Sequence, residues 1–373
     1  MTQHTSKMSR RKMLGLIGGG TIFAATASTA AFVGTRTPHA ALQPWDMAGG
    51  YADPRMNALS YALLAPNPHN RQPWEAEMRG IDQVAIWRDP ARNLPVTDPF
   101  ARQLTIGMGC FLELMDMAAA QAGFAVDTTL YPQGEDGPVA LCTFREGGAA
   151  DPLFAHVMQR RSHKDAFDPT PVGAAADPLR AHSQIVTDAT QVARLRELAS
   201  GAWLTEMSTT DAYMESIDLL RIGKAEIIAN PDGIDAGGPM LEALAVAGLF
   251  THEAARDPQN PGSQDAINST NAAILGAPAY VLTKTQGNTR ADQIDAGRRW
   301  LRLNLAATGA GLAVRPVSQA LQEYDAVAPY YTAMHTEFAA PNETVQMLGL
   351  LGYGPTPART PRWKLETRLR DAT

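Results

Sequence analysis

Two stretches of this chain read alike, and they limit what it can fold into. Gly109–Phe124 and Gly297–Leu312 each open on a glycine and continue as an apolar-periodic helix. Each then closes on paired alanines and a glycine, and ends on an apolar residue where a strand is expected next. Two ordinary buried helices would give the same pattern, so the flanking segments have to decide whether it is a repeat. The flanks alternate strands and helices in both halves, which predicts an α+β fold made of two similar units. The boundary falls at Gly148–Asp151, giving a first unit over 42–150 and a second over 151–373.

In the first unit the pattern predicts a helix at Met56–Leu64, a strand at Val84–Trp87 and a helix at Asp98–Ala122 ended by Gly123. Strands are expected at Phe124–Tyr131 and Val139–Phe144, and a helix at Pro152–Arg161. The second unit predicts helices at Ala189–Ala199, Thr205–Ile228 and Gln293–Thr308, with strands at Ala279–Leu282, Ala313–Val317 and Val345–Leu350. Residues 42–53 read as a linker. Cys110 and Cys142 are too few for a disulfide framework and read better as two separate buried thiols than as one bridge.

The first 41 residues read as an address. Ser9-Arg10-Arg11-Lys12-Met13-Leu14 precedes an apolar, glycine- and alanine-rich run from Gly15 to Val33. A charged start, a hydrophobic middle and small residues at 30, 31, 40 and 41 are the parts of a signal peptide. The paired arginines resemble the twin-arginine export motif. This implies export machinery as a partner and a periplasmic or otherwise exported location. The competing reading is a membrane anchor, for which Gly18-Gly19-Gly20 and several Ser and Thr make a poor hydrocarbon helix.

Three further segments resemble the nitroreductase family of flavoproteins. They are Ala65-Pro66-Asn67-Pro68-His69-Asn70-Arg71-Gln72-Pro73-Trp74, Arg160-Arg161-Ser162-His163-Lys164, and the stretch Gly297–Val317 closed by Gly352-Tyr353-Gly354 and Pro361-Arg362-Trp363-Lys364. The resemblance implies a nitroreductase-like fold in two fused repeats with one non-covalent FMN. Arg160 and Ser162 would take the phosphate, helped by Arg161 and by Arg362 or Lys364. Lys164 would lie nearer the ring, Asn70 would meet its pyrimidine edge, and a backbone N–H near Ser318 or Gln319 would face N5. Gln72-Pro73-Trp74 shapes the turn into a strand. In the simple family the Arg-x-Ser segment precedes the Asn-x-Gln-Pro-Trp segment, and the two come from different subunits. Here the order is inverted, as expected if one chain carries both halves of the dimer and keeps one site.

The expected activity is electron transfer through flavin to a small-molecule substrate, by a monomer or homodimer. The alternative is a non-catalytic flavin binder whose FMN is occluded, with 203–264 as the lid. A binding protein for an apolar ligand would make the three segments coincidence. The formal net charge of −6 gives no basic field for nucleic acid. The chain lacks a Gly-x-Gly-x-x-Gly opening a helix after a strand, a Gly-x-Ser-x-Gly elbow, and metal-type spacing of its histidines.

Overall fold

The computed structural model describes residues 35–371. Arg10, Arg11 and the apolar run to Val33 lie outside them. The described chain is α+β. Helix α1 (His39–Met47) and α2 (Pro54–Ala62) lead into β1 (Trp74–Arg79) and β2 (Gln83–Arg88). Helix α3 (Arg102–Gln121), β3 (Phe124–Leu130) and β4 (Ala140–Glu146) complete the first half. The second half runs from β5 (Gln184–Val186) and α4 (Ala189–Ser208) through an insertion to β8 (Ala279–Thr285). Helix α10 (Arg290–Gly309), β9 (Ala313–Pro316) and β10 (Thr344–Gly352) follow. A short β11 (Leu369–Arg370) ends it.

The two main sheets have the same wiring. One is ordered β11-β1-β2-β4-β3 and the other β5-β8-β10-β9. In each, a strand feeds the long helix, the helix returns as the edge strand, and an antiparallel neighbour then inserts beside the strand that fed the helix. Each helix is buried along most of its length because its small and apolar residues face both its own sheet and the other helix.

The two helices cross at glycine. A Cβ on Gly109 would lie 2.2 Å from Ile294 O and 3.0 Å from Gly297 Cα. A Cβ on Gly297 would lie 2.0 Å from Ile106 O and 2.8 Å from Gly109 Cα. Superimposing Gly109 on Gly297 in sequence also superimposes the helix starts, Arg102 and Arg290, and the ends, Gln121 and Gly309. The glycines paired by the sequence comparison are therefore the ones that touch in space.

Several elements differ from the sequence expectation. Residues 42–53 are not a plain linker: α1 runs across 39–47, buries Trp45 and donates from its indole to Thr360 O at 2.8 Å. The expected helix at 152–161 is a 3-10 turn over Pro152–His156. The expected helix over 205–228 breaks into the end of α4, then α5 (Thr210–Asp218), β6 (Leu220–Ile222) and α6 (Gly223–Ala229). β6 pairs in parallel with β7 (Ile234–Ala236), a partner further along the chain that local periodicity does not reveal. Cys110 and Cys142 are both free and buried.

Candidate functional site

The loop between α2 and β1 meets the segment after the 152–156 turn in a cleft beside α3. Two adjoining cavities, each of about 210 Å³, share Pro66, Asn67, His69, Ser162 and Pro316. The first is walled by α3 (Gln103, Ile106, Gly107, Cys110), by Trp300 of α10, by Met347, and by Ser318 and Gln319. The second is walled by Asn70, Arg160, Arg161, Lys164, Arg362 and the 233–235 segment. Ser162 thus stands at the junction. Gly107 leaves the first cavity open, since a Cβ there would reach Asn67 Cβ at 3.2 Å.

The loop 67–72 is held in an unusual shape. His69, Asn70 and Gln72 all have positive φ, at 46°, 51° and 48°. Such backbone persists only where its surroundings fix it. Asn67 Oδ1 accepts from Gln72 N at 2.7 Å. The buried Gln72 side chain donates to Pro231 O at 2.7 Å and accepts from Trp363 N at 2.9 Å. Gln72 therefore shapes the turn, as its sequence setting implied. Asn70 spends its amide inside the chain, donating to Pro361 O at 3.1 Å and accepting from Arg362 Nη1 at 2.6 Å.

The second cavity is lined by Arg160, Arg161, Lys164 and Arg362 against one carboxylate among the described residues, Asp235. Arg160 is buried and donates to Leu64 O at 3.1 Å, while its Nη1 is buried with no partner among the described residues. Burial, with Arg161 beside it, lowers the Arg160 pKa to about 10. Arg362 is also buried and donates to Leu63 O, Leu64 O and Ala65 O. Burial, reinforced by Arg160, lowers its pKa to about 9. Among the described residues no carboxylate forms an ion pair with Arg160, Arg161 or Arg362. Arg161 stacks on Trp45, its guanidinium carbon 4.5 Å from the ring centroid. Lys164 is half-exposed and paired with Asp235 at 2.8 Å. Lys364 is exposed and lines a different, shallow depression beside Tyr51 and Glu366. Asp235, the one carboxylate lining the second cavity, acts on Arg362 without forming an ion pair with it.

Sequence reasoning missed other residues of the cleft. His69 lines both cavities, and burial lowers its pKa. Cys110 lines the first cavity, donates to Gly297 O at 3.1 Å, and is pushed up to about 12 by burial. Gln319 donates to Glu206 at 3.3 Å. Glu206 is buried, its other oxygen has no partner among the described residues, and burial raises its pKa to about 7. A carboxyl raised above its unfolded value contributes stability that is present below pH 4.5 and lost as pH rises through 7. Glu206→Gln should therefore gain up to about 3 kcal/mol relative to the parent between pH 5 and pH 8. Urea titrations at both pH values check this, and a difference independent of pH would refute it.

The fold and cleft define a class: an α+β protein with an arginine-lined cleft at the crossing of two like helices. No family model matches the chain. It is 24% identical over 323 residues to a Mycobacterium tuberculosis protein named "Putative NAD(P)H nitroreductase", covering 82% of this chain and 88% of that one. An uncharacterized protein of the same organism is 23% identical over 332 residues, covering 84% and 92%. The solved structure of the FMN-dependent nitroreductase NfnB of Mycobacterium smegmatis in complex with NADPH aligns with a TM-score of 0.36 and 22% identity, over 59% of this chain and 98% of that one. The likeness to the protein named as an NAD(P)H nitroreductase thus extends along most of this chain.

Proposed function

We propose that the chain is an FMN-dependent oxidoreductase of the nitroreductase type, built as a fused pseudo-dimer with one flavin site. The observation that carries this reading is the pair Arg160 and Arg362, buried beside a ring-sized cavity, with Arg160 Nη1 unpartnered and neither guanidinium ion-paired to a carboxylate among the described residues. A phosphate dianion would satisfy that arrangement, and the adjoining cavity, with apolar walls and polar residues among its lining, suits a flat ring with polar edges. Arg160, Arg362 and Ser162 would hold the phosphate end. The 316–319 segment and α3 would border the ring. Bound flavin supplies the electron-transfer chemistry, and the protein supplies position and field. Trp300 and Met347 give the first cavity apolar wall. The Lys164–Asp235 pair ties the insertion to the second, so the insertion walls the phosphate end. None of the residues 203–264 lines the first cavity. That leaves the ring end open to a small substrate and favours turnover over sequestration.

Purified protein mixed with FMN and desalted should retain close to one flavin per chain by absorbance. Colourless protein after every such treatment would sink the reading. Export is the second part of the proposal. It rests on Arg10-Arg11 and the uncharged run that follows. Replacing both arginines by lysine should leave the protein in the cytoplasm, as read by fractionation. Unchanged export would show another route.

A further inference from the structure

Helix α1 lies outside the segments that resemble a flavin site, yet it contacts the frame of the second cavity. Trp45 is 1% exposed and stands among three arginines. The guanidinium carbon of Arg161 lies 4.5 Å from its ring centroid, that of Arg359 5.5 Å and that of Arg362 5.8 Å. Its indole N–H donates to Thr360 O at 2.8 Å. One turn earlier in the helix, Ala41 O accepts from Arg362 N at 2.9 Å. Arg161, Thr360 and Arg362 all line the second cavity, whereas Trp45 does not. The indole therefore touches the lining without being part of it.

Packing alone accounts for a buried indole. It does not account for the cations gathered on this one. Arg359 has a counter-charge in Asp46 at 2.7 Å, but among the described residues Arg161 and Arg362 form no ion pair with a carboxylate. Like charges in one cavity wall repel, so something must hold these two guanidiniums in place. The negative face of an indole attracts a guanidinium without neutralising it. A carboxylate in that place would hold them as well, but it would repel a phosphate. An aromatic ring holds them and leaves their charge available to a ligand.

We infer that Trp45 is a positioning residue for the phosphate end of the site, its ring holding Arg161 and Arg362 in the wall of the second cavity so that they are ordered before a phosphate monoester arrives. The inference rests on the proposed flavin reading for the identity of that ligand. Trp45 lines neither cavity, so it acts through the two arginines and not by contact. Its effect should fall on the phosphate alone, because the residues it touches line the second cavity and not the first. Riboflavin carries the same ring as FMN without the phosphate. The preference for FMN over riboflavin therefore isolates what Trp45 contributes.

The test titrates FMN and riboflavin into the full chain and into the chain carrying Trp45→Leu. The ratio of the two affinities should fall roughly tenfold, the cost of ordering two guanidiniums at binding instead of beforehand, with riboflavin affinity held. Trp45 is also part of the core, so a second variant keeps its shape. Tetrafluorotryptophan at position 45 retains the indole N–H and removes the negative face of the ring. It should lower the same ratio while the ligand-free protein melts close to the parent. An unchanged ratio in the fluorinated protein would overturn the inference. So would an equal fall for both flavins, which is what lost packing alone produces. A parent that takes up neither flavin would sink the flavin reading instead, and thermal shift with inorganic phosphate then decides. Phosphate stabilising the parent but not the fluorinated protein would support the positioning role, and no difference between them would overturn it.

Discussion

Arg160→Ala should cost the protein its anionic ligand and leave the ligand-free fold as stable as before, or more so. The Arg160 guanidinium makes one hydrogen bond, to Leu64 O, and leaves Nη1 unpartnered. Its pKa is lowered by burial, so the folded protein bears an uncompensated cost for keeping it charged. Removing it relieves that cost. The same removal takes a charge-assisted pair from a bound phosphate, about 1.5–3 kcal/mol or roughly ten- to hundredfold in FMN affinity. Arg362→Ala should behave differently. Arg362 also ties the C-terminal arm to the α2–β1 loop through Leu63 O, Leu64 O, Ala65 O and Asn70 Oδ1. Its loss orphans several buried acceptors at once, so both binding and stability should fall, the latter by about 3 kcal/mol or more. Asn70→Ala removes a neutral hydrogen bond to Pro361 O and a charge-assisted one from Arg362 Nη1, and should cost about 1.5–3 kcal/mol of stability. FMN titrations and thermal melts with and without FMN separate the cases. Arg160→Ala melting as low as Arg362→Ala without ligand, or binding FMN like the parent, would refute the assignment.

The parts of this architecture that are legible in sequence are those stabilised nearby. Helix α3 is visible because Leu, Met and Ala recur with helical period and Gly123 stops it, at φ +85°. Helix α10 is equally plain, although it runs through Gly309 and the left-handed residue is Gly311, at φ +70°. That Arg160, Ser162 and Arg362 line one cavity was legible because charge with hydroxyl suggests a phosphate receptor. Which basic residue of the C-terminal arm turns inward was not. Arg362 and Lys364 stand two apart, and only the carbonyls of 63–65, far away in sequence, select the guanidinium. Helix α1 and β11 were missed for the same reason. Trp45 is held by Thr360 O, and Leu369 pairs with Ala76. Such elements borrow their stability from distant chain, and no local pattern records it.

Gly297→Ala should be among the most damaging small substitutions at the described residues. An exposed helical glycine changed to alanine gains about 1 kcal/mol from propensity. At the α3–α10 crossing the new Cβ would sit 2.0 Å from Ile106 O, 2.8 Å from Gly109 Cα and 2.9 Å from Cys110 N. All three are backbone atoms of a buried helix, so no side-chain rotation relieves the clash, and the helices must part. Parting them also breaks the Cys110 Sγ–Gly297 O hydrogen bond and opens the cleft wall formed by Ile106, Cys110 and Trp300. The expected cost is about 3 kcal/mol or more, with flavin retention lost alongside. Gly109→Ala should cost a similar amount, because its Cβ meets Ile294 O at 2.2 Å in the reciprocal arrangement. Gly276→Ala, at a helix end where nothing lies within 4 Å of the added carbon, should stay within about 1 kcal/mol of the parent. Urea titrations of the three variants provide the comparison. If Gly297→Ala and Gly109→Ala melted with the parent, the helices would not be crossing at these residues, and a fused pseudo-dimer built about that crossing would fall with it. A loss at Gly297 alone would mean that the two helices do not meet symmetrically.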